Sequence, residues 1–338
     1  MPTVLITGAA GFIGFHVCNV FIENNYDVYA LDNIQENTET HLKYERLATL
    51  GIDKNRIEYG KLITVENISF IQCDLNDIST LNTFFSDHHF DIVIHLAAQT
   101  GVRNSVINPE IYIKNNIIGF HNLLQTCKSH SINKLIFASS SSVYGENKKM
   151  PYKEDFPTDN PLSIYAVTKK SNELMAQAYS NLFNLNAIGL RFFTVYGPWV
   201  RADMAAYIFM KSIADKKPIN LYNNGLSLRD FTYVDDVVKS IFLISKKITS
   251  PDAVNYPLFN IYNVGNSHPV NLEKYLNCIE RFLNKKAIIC NQPMQDGDVT
   301  ATFACVDKLS DFIGFKPETD IEKGVKKMVD WFTKNNEK

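Results

Sequence analysis

The fold is decided near the N-terminus by the stretch Thr3-Val4-Leu5-Ile6-Thr7-Gly8-Ala9-Ala10-Gly11-Phe12-Ile13-Gly14. An apolar run of strand-forming residues leads into three glycines spaced three apart, and a helical pattern follows them. Glycine lets one segment of backbone approach another closely, and the N-terminus of the following helix presents free backbone N–H groups. The stretch therefore predicts a strand, a tight turn and a helix that together bind an anion such as a pyrophosphate.

The alternation of strand and helix continues through the first half of the chain. Strands are predicted at 3–7, 27–31, 69–72, 91–95, 134–138 and 187–191, and helices at 11–24, 41–50, 78–85, 109–130 and 161–183. Most of these strands are apolar on both faces, which is typical of parallel strands covered by helices. We therefore expect an α/β fold with a doubly wound parallel sheet of the Rossmann type, and a ligand beyond the carboxyl ends of its strands.

The pattern changes after Arg191 to loops rich in Gly, Pro and Asn, followed by short helices and strands. Residues 259–264 read as one more strand that returns to the main sheet. We predict a Rossmann domain at 1–190 with return segments at about 231–265, and a smaller α/β substrate lobe at 191–230 and 266–338.

Composition excludes several classes of function. The 338 residues carry 34 Lys+Arg against 36 Asp+Glu, a net charge of −2, so no basic surface is expected for nucleic acid or an anionic membrane. The N-terminus has no basic leader, and no apolar run is long enough to span a bilayer. The six cysteines show no metal-ligand spacing and are interpreted as buried free thiols. We therefore expect a cytoplasmic protein without a metal centre.

The end of the second predicted strand carries Asp32. A carboxylate there can accept hydrogen bonds from an adenosine ribose and would repel a 2′-phosphate, which favours NAD over NADP. The alternative is that Asp32 only caps a helix or a turn. Asp74-Leu75 and Leu96-Ala97-Ala98 follow the next strands and are expected to flank the adenine and to let the chain pass close to the dinucleotide.

A candidate pair for redox chemistry is Tyr165 and Lys169, which lie on one face of the helix predicted at 161–183. A free phenol has a pKa near about 10. The lysine ammonium and a positive nicotinamide ring would both lower the pKa of this phenol towards neutral. Such a pair also occurs by chance in many helices. Its position favours function, because the strand at 134–138 ends in Ser139-Ser140-Ser141-Ser142 and brings hydroxyls to the same edge.

The glycine turn, Leu96-Ala97-Ala98, the serine cluster and Tyr165-x-x-x-Lys169 together resemble the extended short-chain dehydrogenase/reductase superfamily, from Thr3 to at least Trp331. More narrowly, the chain is similar to UDP-glucuronate 4-epimerases in the stretches Arg191-Phe192-Phe193-Thr194-Val195-Tyr196-Gly197-Pro198-Trp199, Tyr222-Asn223-Asn224-Gly225, Arg229-Asp230-Phe231-Thr232-Tyr233 and Met294-Gln295-Asp296-Gly297-Asp298-Val299. Two positions depart from the family pattern: Val200 replaces an expected glycine and Ala202 an expected proline.

The resemblance implies a mechanism and a set of site residues. Tyr165 takes the proton of the sugar 4-hydroxyl while NAD⁺ takes the C4 hydride, and the ketone turns its other face before the hydride returns. Ser140 orients the oxygen, and Asn116 shapes the site, unless it is only a helix-surface asparagine. The predicted cofactor-binding residues are Gly8, Gly11, Phe12, Ile13, Gly14, Asp32, Asn33, Asp74, Leu75, Leu96, Ala97, Ala98, Asn116, Tyr165 and Lys169.

The predicted substrate-binding residues are Ser140, Ser141, Ser142, Thr194, Arg201 and Arg229. A 4-keto uronic acid is a β-keto acid that can lose CO₂, so an epimerase must hold the carboxylate, and Ser141, Ser142 and Thr194 offer hydroxyls for this. Related dehydratases and decarboxylating enzymes carry an acidic residue in the stretch aligned to Ser141-Ser142. Arg229 is assigned to the diphosphate and Arg201 to a second anionic group, although a surface salt bridge would explain either arginine.

The sequence thus predicts NAD-dependent interconversion of UDP-glucuronate and UDP-galacturonate. The alternatives are a neutral UDP-hexose 4-epimerase and a catalytically silent NAD(H)-binding protein. The resemblance also implies a homodimer that pairs through the helices predicted at 109–130 and 161–183.

Overall fold

The computed structural model describes residues 1–36, 39–251, 253, 256–294 and 298–336. Its helices are α1 Phe12–Glu23, α2 Thr40–Thr49, α3 Ile78–Asp87, α4 Val102–Ile107, α5 Pro109–Tyr112, α6 Gly119–Ser129, α7 Ile164–Phe183, α8 Ala205–Ala214, α9 Val234–Thr249, α10 Leu272–Leu283, α11 Asp307–Ile313 and α12 Ile321–Asn336. Its strands are β1 Thr3–Thr7, β2 Asp27–Asp32, β3 Leu62–Val65, β4 Ile68–Gln72, β5 Ile92–His95, β6 Lys134–Ser140, β7 Asn186–Phe192, β8 Thr194–Tyr196, β9 Pro218–Tyr222, β10 Leu228–Arg229, β11 Phe231–Tyr233, β12 Phe259–Val264, β13 Val270–Asn271 and β14 Ile288–Gln292.

The centre of the molecule is an eight-stranded sheet in the order β12-β7-β6-β5-β1-β2-β4-β3. Neighbouring strands pair in parallel, except that β3 pairs antiparallel with β4 at one edge. The strand order reverses beside β1, where Thr7 is in register with both Leu31 of β2 and His95 of β5. The predicted doubly wound Rossmann sheet is confirmed, and its switch point places a crevice at the carboxyl ends of β1 and β5.

Both faces of the sheet are buried. Successive side chains of a strand point to opposite faces, so Val4 and Ile6 pack into the core beneath α1 and α9, whereas Leu5 packs into the core beneath α3 and α6. All three residues have no solvent exposure. This explains why the strands read as continuous apolar runs.

The prediction of one helix at 109–130 is wrong in detail, because the structure has three helical segments in this stretch. A π-helical segment, Ile113–Ile118, separates α5 from α6. Within it, the carbonyl of Asn116 accepts a hydrogen bond of 2.6 Å from Asn172 Nδ2, and the Asn116 side chain binds the backbone of Gln99. These tertiary contacts stabilise the wider π-helical turn, and the periodicity of the sequence does not predict such a turn.

Other differences are smaller. The hairpin strand β3 was not predicted, and the helix predicted from residue 161 begins at Ile164, with Ser163 Oγ accepting from Ala166 N at 3.1 Å as its N-cap. The expectation of buried cysteines holds for four of the six, since Cys290 is exposed and Cys305 is half-buried.

Beyond the main sheet, three small strand pairings join the described residues of the second half of the chain. β8 pairs with β11, β9 with β14 and β10 with β13. β12 occupies Phe259–Val264 and pairs with β7 in the main sheet, as the sequence predicted for this stretch. In the part of the chain that the structure describes, no helix has the length and apolarity needed to cross a membrane.

Candidate functional site

A cavity of about 520 Å³ lies at the carboxyl ends of the central strands, between the sheet and the segments around β8 and β10. It is lined by every residue that the sequence analysis assigned to cofactor or substrate, apart from Asn116. The sheet brings these residues together although they come from most of the length of the chain.

The glycine turn has room for backbone only. Gly8 has a positive φ of 74°, and a Cβ on it would lie 2.6 Å from Ala97 N. A Cβ on Gly14 would overlap the carbonyl oxygen of Gly8. These contacts leave the backbone at the start of α1 facing the cavity, which fits the pyrophosphate of a dinucleotide.

Asp32 has two roles in the structure. Its Oδ2 accepts from Ala10 N at 3.1 Å and its Oδ1 accepts from Ile34 N at 2.8 Å, so it orders the turns on either side of it. The same carboxylate lines the cavity, next to Lys43, whose Nζ lies 3.6 Å from Oδ1. The turn-capping interpretation and the ribose-binding interpretation are therefore compatible.

Asp74 and Asn33 are joined across the ends of two strands, since Asn33 Nδ2 donates to Asp74 Oδ2 at 3.0 Å. Burial raises the pKa of Asp74, but hydrogen bonds from Asn76 and Asn33 outweigh burial and hold it below its usual range. This carboxylate is therefore a charged acceptor on the cavity wall.

Asn116 lies behind the cavity wall. Its Oδ1 accepts from Gln99 N at 2.7 Å, and its Nδ2 donates to Gln99 O at 2.9 Å and to Thr168 Oγ1 at 3.0 Å. These partners use both ends of its amide, so Asn116 holds the loop around Gln99 and shapes the site from behind its wall. Its assignment to the cofactor stays a prediction.

Tyr165 and Lys169 meet at the end of β6. Lys169 Nζ donates to Ala138 O at 2.8 Å and lies 5.9 Å from the centre of the Tyr165 ring. Burial lowers the pKa of Lys169 to about 8. Its ammonium is buried near the Tyr165 ring, because residues four apart lie on the same face of a helix.

The pKa of Tyr165 differs from the sequence-based expectation. Burial raises the pKa of its phenol, while the hydrogen bond to Ser140 and the positive charge of Arg201 oppose that rise without overcoming it. The protein alone therefore keeps this phenol protonated at neutral pH.

Tyr112 was missed by sequence reasoning. Its ring is fully buried, lies edge-on to the Tyr165 ring at 6.2 Å, and its hydroxyl is 2.7 Å from Thr100 O and 2.8 Å from Gly101 O. It packs the catalytic candidate against the loop after β5. No sequence signal identifies such a contact, because it depends on the course of the π-helical segment.

The serine cluster turns directly after β6 into a short 3₁₀ helix, Ser141–Tyr144. Ser140 Oγ accepts from Ser142 N at 3.2 Å, and the buried Ser142 Oγ has no hydrogen-bond partner among the described residues. Thr194 lines the same cavity from β8. The cluster thus leaves an unused hydroxyl at the cavity.

Both predicted anion-binding arginines are paired with an aspartate. Arg229 Nη2 donates to Asp298 Oδ1 at 2.6 Å, and Arg201 binds Asp203 through two hydrogen bonds of 2.9 Å. Arg103, which was missed, approaches the second oxygen of Asp298 to 3.8 Å and stacks over Tyr222. In the motif that ends in Asp298-Val299, residues 295–297 lie outside the described residues.

The loop between β8 and α8 carries the two departures from the family pattern. The residue with a positive φ is Trp199, at 62°, rather than Val200. Val200 is fully buried in the core. Glycine is therefore not required at position 200, and valine fills core space there.

Comparison with known proteins agrees with this site. The model of the "NAD dependent epimerase/dehydratase family" matches residues 4–265, which confirms the predicted cofactor, NAD. Protein CapI of Staphylococcus aureus is 44% identical, with 97% of this chain and 98% of CapI covered. A probable UDP-glucuronate 4-epimerase of Rhizobium meliloti is 38% identical, with 98% and 97% covered.

Solved structures show the same fold. A Bacillus cereus UDP-glucuronic acid 4-epimerase in complex with UDP-glucuronic acid and NAD superposes with a TM-score of 0.87 at 29% identity, over 98% of this chain and 99% of that chain. A UDP-glucose 4-epimerase from Thermotoga maritima with UDP-glucose has a TM-score of 0.83 at 27% identity, over 99% of each chain.

Proposed function

The chain belongs to the NAD dependent epimerase/dehydratase family, and we propose that this UDP-sugar 4-epimerase interconverts UDP-glucuronate and UDP-galacturonate. The observation that carries the choice of sugar is the hydroxyl wall of the cavity, Ser140–Ser142 with the unpartnered Ser142 Oγ, together with Thr194. Relatives named as UDP-glucuronate 4-epimerases support it.

The residues at the end of β6 handle the proton. The phenolate form of Tyr165, which the buried ammonium of Lys169 and the positive nicotinamide ring of bound NAD⁺ would favour, accepts the proton of the sugar 4-hydroxyl and becomes a phenol. Ser140 donates a hydrogen bond to the same sugar oxygen. NAD would be held by Gly8, Gly14 and Asp32 and would supply the reversible removal of the C4 hydrogen as hydride.

The hydroxyl wall protects the substrate. Oxidation at C4 makes the sugar a β-keto acid. Such an acid loses CO₂ when the bond between C5 and its carboxylate is parallel to the π orbitals of the C4 ketone. Ser141, Ser142 and Thr194 hold the carboxylate out of that alignment by hydrogen bonds. An otherwise unpartnered Ser142 Oγ gains a partner in doing so, which removes a desolvation cost.

The decisive experiment incubates the purified protein with UDP-glucuronate and NAD⁺ and identifies the products by chromatography and NMR. We expect UDP-galacturonate, with Tyr165→Phe as the control that does not turn over. UDP-pentose and CO₂ as the main products would contradict the proposal. Turnover of UDP-glucose alone would favour the neutral-sugar epimerase, and equal behaviour of Tyr165→Phe and wild type would favour a silent NAD(H)-binding protein.

We also propose that the chain forms a homodimer through α7 and the segment around Ile113–Ile118. Large apolar side chains are exposed there, namely Ile113, Ile118, Val167, Leu174 and Leu182. Leu174→Glu should shift the mass measured by light scattering from dimer to monomer, whereas Leu258→Glu, at an exposed leucine elsewhere, should not. A wild-type monomer would disprove the dimer.

A further inference from the structure

Helix α2 directs two cationic side chains at the cofactor turn. Lys43 and Arg46 are three residues apart and share one face of the helix. Lys43 lies beside Asp32, and Arg46 reaches farther, into the space between the glycine turn and the loop that follows β8. Neither residue has a sequence motif that singles it out.

Arg46 joins two segments that are far apart in the chain. Its Nη1 donates to Ala10 O in the glycine turn at 2.9 Å, and its Nη2 donates to Trp199 O at 2.8 Å. The side chain has no solvent exposure, and Glu39 Oε1 lies 3.4 Å from Nη1. One guanidinium therefore fixes the distance between the cofactor turn and the loop after β8.

A contribution to stability alone explains this arrangement poorly. Burying an ion pair costs desolvation that its attraction barely repays, and well-packed apolar residues often do as well. The planar guanidinium of arginine can donate hydrogen bonds to two carbonyls at once, whereas a lysine ammonium is a single point charge. The two-carbonyl geometry is therefore a positioning device.

The loop that Arg46 holds leads directly to the substrate side of the cavity. The Trp199 ring packs 5.4 Å from the Phe15 ring and 5.3 Å from the Trp331 ring, and the Pro198 carbonyl lies 2.9 Å from His16 Nε2. Arg201, two residues after Trp199, lines the cavity. Its positive charge opposes the rise that burial causes in the pKa of the Tyr165 phenol.

We infer that Arg46 is a positioning residue that ties the cofactor turn to the loop of Arg201, and so sets where the anionic part of the sugar lies relative to the cofactor. The substrate half of this inference rests on the proposed function. The cofactor half depends only on the contact with Ala10.

The test is a double-mutant cycle with Arg46→Lys, Arg201→Lys and the double variant, with Arg281→Lys as an exposed arginine control. Arg46→Lys should raise KM for UDP-glucuronate about tenfold in the wild-type background and less than about twofold in the Arg201→Lys background, because both changes act through one group. The NAD retained through purification should also fall, and kcat should change less than KM.

An equal rise in KM in both backgrounds would overturn the inference. So would a lower thermal unfolding midpoint with unchanged KM and NAD content, in Arg46→Lys or, if that variant does not fold, in Arg46→Met. Failure of both variants to fold would assign Arg46 to stability instead. If wild type does not turn over UDP-glucuronate, the proposed function fails, while NAD retention still tests Arg46.

Discussion

The two halves of the cavity are built by different means. On the cofactor side, the turn before α1 is backbone in contact with backbone, as Gly8 and Gly14 show. On the substrate side, the serine and threonine hydroxyls lie beside charged side chains that are already paired with each other, as in Arg229–Asp298 and Arg201–Asp203. A cofactor kept through every turnover suits a rigid site, whereas a substrate that enters and leaves suits ion pairs that can exchange partners.

The largest effect is expected on the backbone side. Gly14→Ala places a methyl group on the carbonyl of Gly8, so the turn must move and NAD affinity should fall by about tenfold to a hundredfold. NAD content of the purified protein and fluorescence titration measure this. Gly119→Ala is the matched control, since a Cβ there meets Leu75 Cβ at 3.4 Å, an ordinary contact. Equal NAD binding by Gly14→Ala and Gly119→Ala would contradict the claim that backbone contact in the turn is needed to hold NAD.

A smaller effect is expected on the side of the ion pairs. Arg229→Met should raise KM for the UDP-sugar about tenfold, because a charge-assisted hydrogen bond is lost. Asp298→Asn should leave KM within about threefold or lower it, since it removes the negative charge that competes with the substrate for Arg229. Steady-state kinetics check both. A rise in KM of the same size for both variants would mean that the pair acts as a fixed unit.

The smallest effect concerns Lys169, between the two halves. Its pKa is about 8 in the folded chain against 10.5 ordinarily, so its buried charge costs stability in full below pH 8, and this cost is relieved as pH rises from 8 to 10.5. Lys169→Met removes this cost but also removes the hydrogen bond from Lys169 Nζ to Ala138 O, which offsets part of the gain. Lys169→Met should therefore be about 1 kcal/mol more stable than wild type at pH 7, with a smaller difference at pH 9.5. Urea unfolding without added cofactor measures this. A stability difference between Lys169→Met and wild type that grows with pH would contradict the lowered pKa of Lys169.

The sequence predicted the sheet better than the helices around it. Strands buried on both faces are apolar throughout, so six stretches and the late return strand were found with bounds within a residue or two. The segment at 109–130 was mistaken for one helix because its π-helical turn depends on Asn172 and Gln99, which are distant in sequence.

Local motifs by themselves determined the cofactor turn, the sheet and the residues that gather at its carboxyl edge, because each is set by backbone sterics and strand periodicity within short stretches. Tertiary structure alone decided how these residues are used. The raised pKa of Tyr165, the placement of Asn116 behind the wall and the bridge from Arg46 to Ala10 and Trp199 all arise from burial and from partners supplied by other segments. Desolvation and long-range hydrogen bonds depend on the packed environment, which no local pattern contains.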